Sequence, residues 1–423
     1  MIMTQKYLGY KRKQDFLTLV FCWIAYASTY VCRLNFSAAT PELSREGVFT
    51  EGQLAHISSA FFICYGLGQL VSGVIGDKLD TRRMIFTGMF VSGLCNLGLF
   101  CTESYIAFLL LWGLNGAVQS LVWSPILKIA SVNFDAPTRD KFGIHMAASV
   151  PLGTLSSYGV SLLTLLFLPW RYVFLNCGLV SLAASLVWIF GTRGLFRSKT
   201  GRVVQTADSS SARTALSARK TFLLMASSGA LLLLVPIVIQ GTLKDSVTQW
   251  VPTFFTSEFG SNTVFSLALT MLLPIINVTG AWFAKAINRR IRNEPLTAVI
   301  FFAIAAVFLL LLRLFGSSSL VLSLVSMAVV TNCMFAINVM YITIVPLHFS
   351  KTGRVSTIAG FLNAAAYVGC GALNLLAGAL LERRDGWDLL FWMWILIAVI
   401  ALLFSVAASP LWKRFMQSDD ADA

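Results

Sequence analysis

Charge is scarce in this sequence. Only 12% of its 423 residues are Asp, Glu, Lys or Arg, where a soluble domain carries roughly a quarter. Histidine is rarer still, at three residues, and acidic residues number 19 against 32 Lys and Arg. With 57% of residues hydrophobic and a mean hydropathy of +0.76, a water-soluble fold of this length could not hide its apolar surface. A soluble enzyme, a secreted disulfide scaffold and a disordered chain are thereby excluded. The eight cysteines (Cys22, Cys32, Cys64, Cys95, Cys101, Cys177, Cys333 and Cys370) sit in apolar tracts without a CxxC pair. That placement fits small buried hydrophobes and gives no reason for a disulfide or a metal site. No nucleophile–base pair or phosphate-cradling loop is present either, so no enzyme is expected and no cofactor is implied. A basic face interleaved with aromatics on a soluble domain is also missing, which removes nucleic acid as a partner.

Long hydrophobic runs fill the space. At about 20 residues per crossing they have room for roughly a dozen transmembrane helices in an all-α bilayer protein. Hydropathy places spans near 16–41, 53–76, 83–102, 105–130, 141–168 and 171–192. A second set falls near 221–256, 264–287, 296–315, 318–347, 353–381 and 387–410. The first span follows a basic start but is too long for a signal peptide and lacks a small-residue cleavage site. Basic residues then gather on one side of the bilayer, from Lys11, Arg12 and Lys13 through Arg82, Arg83, Arg289 and Arg290 to Lys413 and Arg414. The other side keeps Arg45, Arg171, Arg313, Arg383 and Arg384. By the positive-inside bias both termini are cytoplasmic, in an inner or plasma membrane, and the number of crossings is even.

One stretch breaks the apolar rhythm, Arg193 to Lys220, with seven basic residues and a serine run at Ser209–Ser211. It reads as a cytoplasmic linker, 193–220, between a six-helix bundle at 1–192 and another at 221–423. The halves echo each other. Gly73-Val-Ile-Gly-Asp77-Lys-Leu-Asp-Thr-Arg82-Arg83 follows the second span, and Gly280-Ala-Trp-Phe-Ala284-Lys-Ala-Ile-Asn-Arg289-Arg290 follows the eighth. Two such halves joined by a central loop resemble the parallel repeat of the major facilitator superfamily, and the Gly-x-x-x-Asp-x-x-x-x-Arg-Arg string resembles its signature loop. Gly73 lets helices approach closely, and Asp77, Arg82 and Arg83 are expected to pair with one another or with helix ends and so bias half-against-half rocking. Plain anchoring of the arginines at the cytoplasmic surface is the other reading.

Charges inside apolar stretches carry the functional information, because one at mid-bilayer costs about 2.5–3.5 kcal/mol on insertion scales. Lys128 lies near a span end, where its stem can snorkel. Arg33 and Lys244 each lie well inside the first span of their half. The expectation is two cations facing a central cavity, with no neighbouring acid to neutralise them, because Asp245 points about 100° away from Lys244 on an ideal helix. Such a pair calls for an anionic ligand, and guanidinium matches phosphate or carboxylate in a forked geometry. Helical spacing adds polar and aromatic company: Tyr26, Tyr30 and Arg33; Asn115, Gln119 and Trp123; His145 and Ser149; Asn363 and Tyr367; and Asn332 with Asn338. Interhelical hydrogen bonding accounts for part of this polarity, and His145 is open between proton acceptor, ligand donor and satisfied interior histidine.

These residues resemble the organophosphate:phosphate antiporters within that superfamily. Tyr26…Tyr30-Val-Cys-Arg33-Leu-Asn-Phe36…Pro41 is similar to their first helix, and Leu114-Asn-Gly-x-x-Gln119-x-x-x-Trp123-x-Pro125 to their fourth. Lys244 followed by Trp250 is similar to their seventh, and Ala359-Gly-Phe361 with Tyr367 to their eleventh. The resemblance implies that Arg33 and Lys244 grip a phosphoryl group while Tyr26, Tyr30, Gln119, Trp123, Tyr367 and Asn363 line the cavity. Ser149 stands where some members have a histidine, with His145 one turn away as a stand-in. Leu34, Gln69 and Gln249 replace charges common in the family, which leaves room for a less charged substrate. The expected function is exchange of a small phosphorylated metabolite for inorganic phosphate by a monomeric carrier. The rivals are a proton-coupled carrier of another organic anion using His145, and a membrane sensor that binds without transporting.

Overall fold

The computed structural model describes residues 13–76, 79–134, 136–195, 218–352 and 355–421, and every regular element among them is helical. The chain divides into two compact units. One comprises Met1–Thr200 with Asn262–Pro274, the other Gly201–Ser261 with Ile275–Ala423.

The first unit holds α1 (Lys13–Arg45), α2 (Glu51–Gly76), α3 (Thr81–Phe100), α4 (Tyr105–Asn133), α5 (Ala136–Ala147), α6 (Ser149–Phe167) and α7 (Arg171–Gly191). Its eighth helix, α10 (Thr263–Thr270), comes from later in the chain. The second unit holds α8 (Ala218–Ser227), α9 (Leu234–Phe259), α11 (Leu272–Ile291) from Ile275 on, α12 (Glu294–Phe315), α13 (Leu320–Asn338), α14 (Val355–Leu381) and α15 (Gly386–Ala421). A π-helical segment, Val339–Ile344, and a 3-10 segment, Val345–Thr352, follow α13. The packing order repeats inside the units. α1 packs on α6 as α9 packs on α14, and α3 packs on α4 and α7 as α12 packs on α13 and α15.

Eleven helical stretches among the described residues are long and apolar enough to cross a membrane. Their outward surfaces are apolar, with Phe167 82% and Trp282 79% exposed, the reverse of a water-soluble surface. The expected span near 221–256 is absent from this set. There the chain breaks into α8 and α9 around turns at Ser228–Leu233. Lys244, Asp245, Gln240 and Gln249 dilute the hydropathy of α9, although its 26 residues reach about 39 Å, enough for a crossing. The fifth span is likewise interrupted at Ala148 and the eighth at Met271. Of the basic linker, residues 196–217 lie outside the described residues.

Buried polar groups staple the helix ends. Glu294, only 4% exposed, accepts hydrogen bonds from Trp412 Nε1 (2.7 Å) and Asn288 Nδ2 (3.0 Å), with His348 Nε2 at 3.3 Å. That one carboxylate thereby gathers α11, α12, α15 and the 3-10 segment, with its oxygens well satisfied. The corresponding end of the first unit uses Trp188, whose Nε1 donates to the Arg82 carbonyl at 2.9 Å.

Candidate functional site

In the first unit the site begins with a bend. Cys32 leaves helical geometry (φ −91°, ψ 16°), and α1 is bent there. Side chains from α4 take up its carbonyl: Asn115 Nδ2 donates at 2.8 Å and Gln119 Nε2 at 3.1 Å. One residue back, the Val31 carbonyl accepts from Ser157 Oγ at 3.1 Å. A bend at mid-helix in lipid is tolerated when neighbouring helices satisfy the backbone in this way. Gly116 lets α4 close onto α2, because a Cβ there would fall 2.4 Å from the Phe61 carbonyl oxygen.

The next residue is Arg33, 8% exposed. Its Nε donates to Gln119 Oε1 at 3.2 Å, while the Gln119 amide nitrogen also reaches Ser92 Oγ at 3.1 Å and Asn115 Oδ1 at 3.2 Å. Gln119 is therefore a holder of Arg33 with its own hydrogen bonds engaged. The guanidinium lies 4.8 Å from the Tyr30 ring centroid, 4.3 Å from Tyr65 and 5.4 Å from Phe61. Cation–π contacts of this kind contribute about 0.5–2 kcal/mol each, more as water is excluded. Tyr26 packs on Trp123 at 4.6 Å between centroids and on Tyr30 at 5.6 Å. Arg33, Gln119, Tyr26, Tyr30 and Trp123 thus share one neighbourhood.

Sequence reasoning missed Phe61 and Tyr65. They stack at i, i+4 on α2 with rings 5.9 Å apart and nearly parallel. That spacing was the available signal, but aromatics in an apolar run look like lipid-facing residues until a neighbouring helix supplies a cation. Leu34, where the family often carries Lys, packs with Ala38, Tyr158 and Leu267 in an apolar cluster. A charge there would sit against an apolar cluster.

His145 and Ser149 are separated by the break at Ala148 that ends α5 and begins α6. Ser149 is fully buried and its Oγ donates to the Met146 carbonyl at 2.5 Å, whereas His145 is half-buried.

In the second unit, Lys244 is flanked by Tyr367, 5.5 Å from ammonium to ring centroid, and Phe335, at 5.7 Å. Asn363 lies half-buried one turn before Tyr367 on α14. The expectation of an unneutralised cation is corrected here: Lys244 Nζ lies 3.5 Å from Asp245 Oδ1. The helix sends adjacent Cβ atoms about 100° apart, but a lysine stem is long enough to swing back across that angle. Trp250 is fixed elsewhere, its Nε1 donating to Asn374 Oδ1 at 3.1 Å. Asn332 is an interhelical strut, bonded to the Ile276 carbonyl at 2.6 Å and Thr279 Oγ1 at 2.9 Å.

The loop motif resolves into two different arginines. Arg82 Nε donates to Thr192 Oγ1 at 2.9 Å and Nη2 to the Ile189 carbonyl, so its charge closes the C-terminal end of α7. The Arg83 side chain is 84% exposed, with Asp80 at 3.7 Å. Asp77 lies outside the described residues, and so do the surroundings of Gly73. Its repeat partner Gly280 shows the close approach directly, with a Cβ there landing 2.6 Å from the Asn332 carbonyl oxygen.

At the opposite end of α1, Glu42 is 8% exposed, pairs with Arg45 and accepts a hydrogen bond from Thr263 Oγ1 on α10. A cavity of about 440 Å³ opens beside them, also lined by Glu46, Trp170 and Leu165. Trp170 Nε1 donates to Glu46 at 2.9 Å.

The sequence profile of the Major Facilitator Superfamily matches residues 22–368. Over 101 residues the chain is 34% identical to the membrane sensor protein UhpC of Salmonella typhimurium, covering 24% of this chain and 23% of that protein. It is 27% identical over 177 residues to the glycerol-3-phosphate transporter of Bacillus subtilis, covering 40% and 39% respectively. The chain thus matches well under half the length of these relatives. Among solved structures, a bacterial homologue of the human lysosomal transporter Spinster superimposes with a TM-score of 0.72 at 13% identity, over 97% of this chain and 99% of that one.

Proposed function

From its membership of the Major Facilitator Superfamily, to which this chain belongs, we propose that the protein is a secondary active transporter of a small phosphorylated metabolite, exchanged for inorganic phosphate. The carrying observation is Arg33, buried in the first unit and held at Nε by Gln119. A buried guanidinium matches a phosphoryl group in a forked geometry, and Gln119 fixes its direction. Lys244, on the helix of the second unit that corresponds to α1, supplies the second cation. Tyr30, Tyr65 and Phe61 face the first cation, with Tyr26 packed on Tyr30 and Trp123, and Tyr367 with Phe335 flanks the second. Transport proceeds by alternating access, driven by the different affinity of the anion for the open states. The carrier is a monomer in a plasma membrane with both termini cytoplasmic, consistent with its basic loops.

The test is phosphate self-exchange in proteoliposomes. Exchange is expected in the native protein and lost in the Arg33→Ala, Lys244→Ala double variant; robust exchange by that variant overturns the reading. A second reading, a sensor, is favoured by the likeness to UhpC. Phosphate-ester binding without any flux in the same vesicles would select it.

A further inference from the structure

Two carboxylates of the second unit, Glu294 buried and Asp245 half-buried, differ in how fully they are satisfied. Glu294 is held by donors from several elements and is part of the scaffold. Asp245 is not so held. Its Oδ1 lies 3.5 Å from Lys244 Nζ, beyond the 2.7–2.9 Å of a tight charge-assisted hydrogen bond, and its buried Oδ2 has no hydrogen-bond partner among the described residues. The side chains are 14% and 22% exposed, so the contact is neither dry nor fully solvated. An ion pair this loose is easily opened by a better anion. Because the partners are adjacent on α9, they also stay together whatever the unit does as a body.

The loose pairing bears on the unloaded carrier. A bare ammonium within the membrane is unfavourable, and a carrier holding one would wait for an anion before changing access state. Here the ammonium has a counter-charge of its own. Arg33 meanwhile is supported by Gln119 and the faces of Tyr30, Tyr65 and Phe61, none of which is substrate. Both cations therefore have partners before any substrate arrives.

We propose that Asp245 is an internal counter-anion: it occupies Lys244 while the carrier is empty, yields it to an incoming anion, and so lets the unloaded carrier reorient. This rests on the transport reading above and goes beyond it, because exchange then ceases to be obligatory and net flux accompanies it. Asp245 acts through Lys244 and is a positioning residue.

The experiment loads proteoliposomes with radiolabelled phosphate and measures efflux into phosphate-containing medium (self-exchange) and into phosphate-free medium (net flux). The native protein is expected to show both. In Asp245→Asn the ratio of exchange to net efflux is expected to rise by at least about tenfold, because the carboxylate charge beside Lys244 is then gone. Asp245→Glu is expected to return the ratio to the native value. Both fluxes are read on the same vesicles, so a misfolded fraction lowers them together and leaves the ratio unmoved. Asp245→Ser, smaller and also uncharged, is expected to shift the ratio in the same direction. A ratio unmoved by the uncharged variants overturns the proposal alone, as does native exchange without net efflux. Native protein with no self-exchange overturns the transport reading and this proposal with it.

Discussion

Gln119 accepts the Nε hydrogen of Arg33 at 3.2 Å and turns its amide nitrogen to the Cys32 carbonyl at 3.1 Å. One side chain therefore both closes the bend in α1 and aims the cation that follows it. The bend is also what separates Arg33 from an ordinary helical register, since its direction is fixed from α4 as much as from its own helix.

Gln119→Leu removes both contacts at once. A hydrogen bond to a charged group contributes about 1.5–3 kcal/mol, so the concentration of phosphate needed for half-maximal self-exchange should rise about tenfold or more. Gln119→Glu should be worse, because a carboxylate beside Arg33 competes with the anion. Concentration dependences for the two variants check this, and a native value in Gln119→Glu would show that Arg33 meets no anion.

Tyr65 is 1% exposed, with its ring 4.3 Å from the Arg33 guanidinium. Tyr65→Phe keeps that ring and should leave apparent phosphate affinity near native. Tyr65→Leu should weaken it by about 1 kcal/mol, roughly fivefold. The same ordering is expected for thermal midpoints in detergent. Equal effects of Phe and Leu would assign Tyr65 to its hydroxyl instead of its face.

Thr263 donates to Glu42, joining α10 to α1 within the first unit. Thr263→Val removes the donor at nearly constant volume. Backbone amides of 263–270 should then exchange hydrogen about tenfold faster, while those of α3 and α4 are unaffected. Hydrogen-exchange mass spectrometry of purified protein measures this directly. Unchanged protection would mean that Leu267, packed with Ala38 and Tyr158, holds α10 by itself.

Hydropathy made most of the fold legible, because crossing a bilayer demands a length and composition that few other constraints imitate. It failed where helices break or carry charge. Ala148 and Met271 interrupt spans within largely apolar runs, and α9 carries its functional polarity in the middle. At the site, Arg33 with Tyr30 and Gln119 could be read from helical spacing. Phe61 and Tyr65 could not, since apolar aromatics acquire their role only from the helix opposite. The Lys244–Asp245 contact was hidden by treating side chains as spokes of fixed length. Leu34 reads as a missing charge in sequence and as part of an apolar seam in space.

The assignment of Asn262–Pro274 to the first unit means the polypeptide returns to that unit after α9 and leaves it again at 274/275. Expressed as two separate polypeptides cut within 196–217, the second piece would still bear a helix that packs on α1 and α6 of the first. The pieces thus carry a built-in address for each other, and fragment complementation would need no linker to bring them together. Cutting the chain after Pro274 would reverse the address, because α9 on the first piece packs on α13, α14 and α15 of the second.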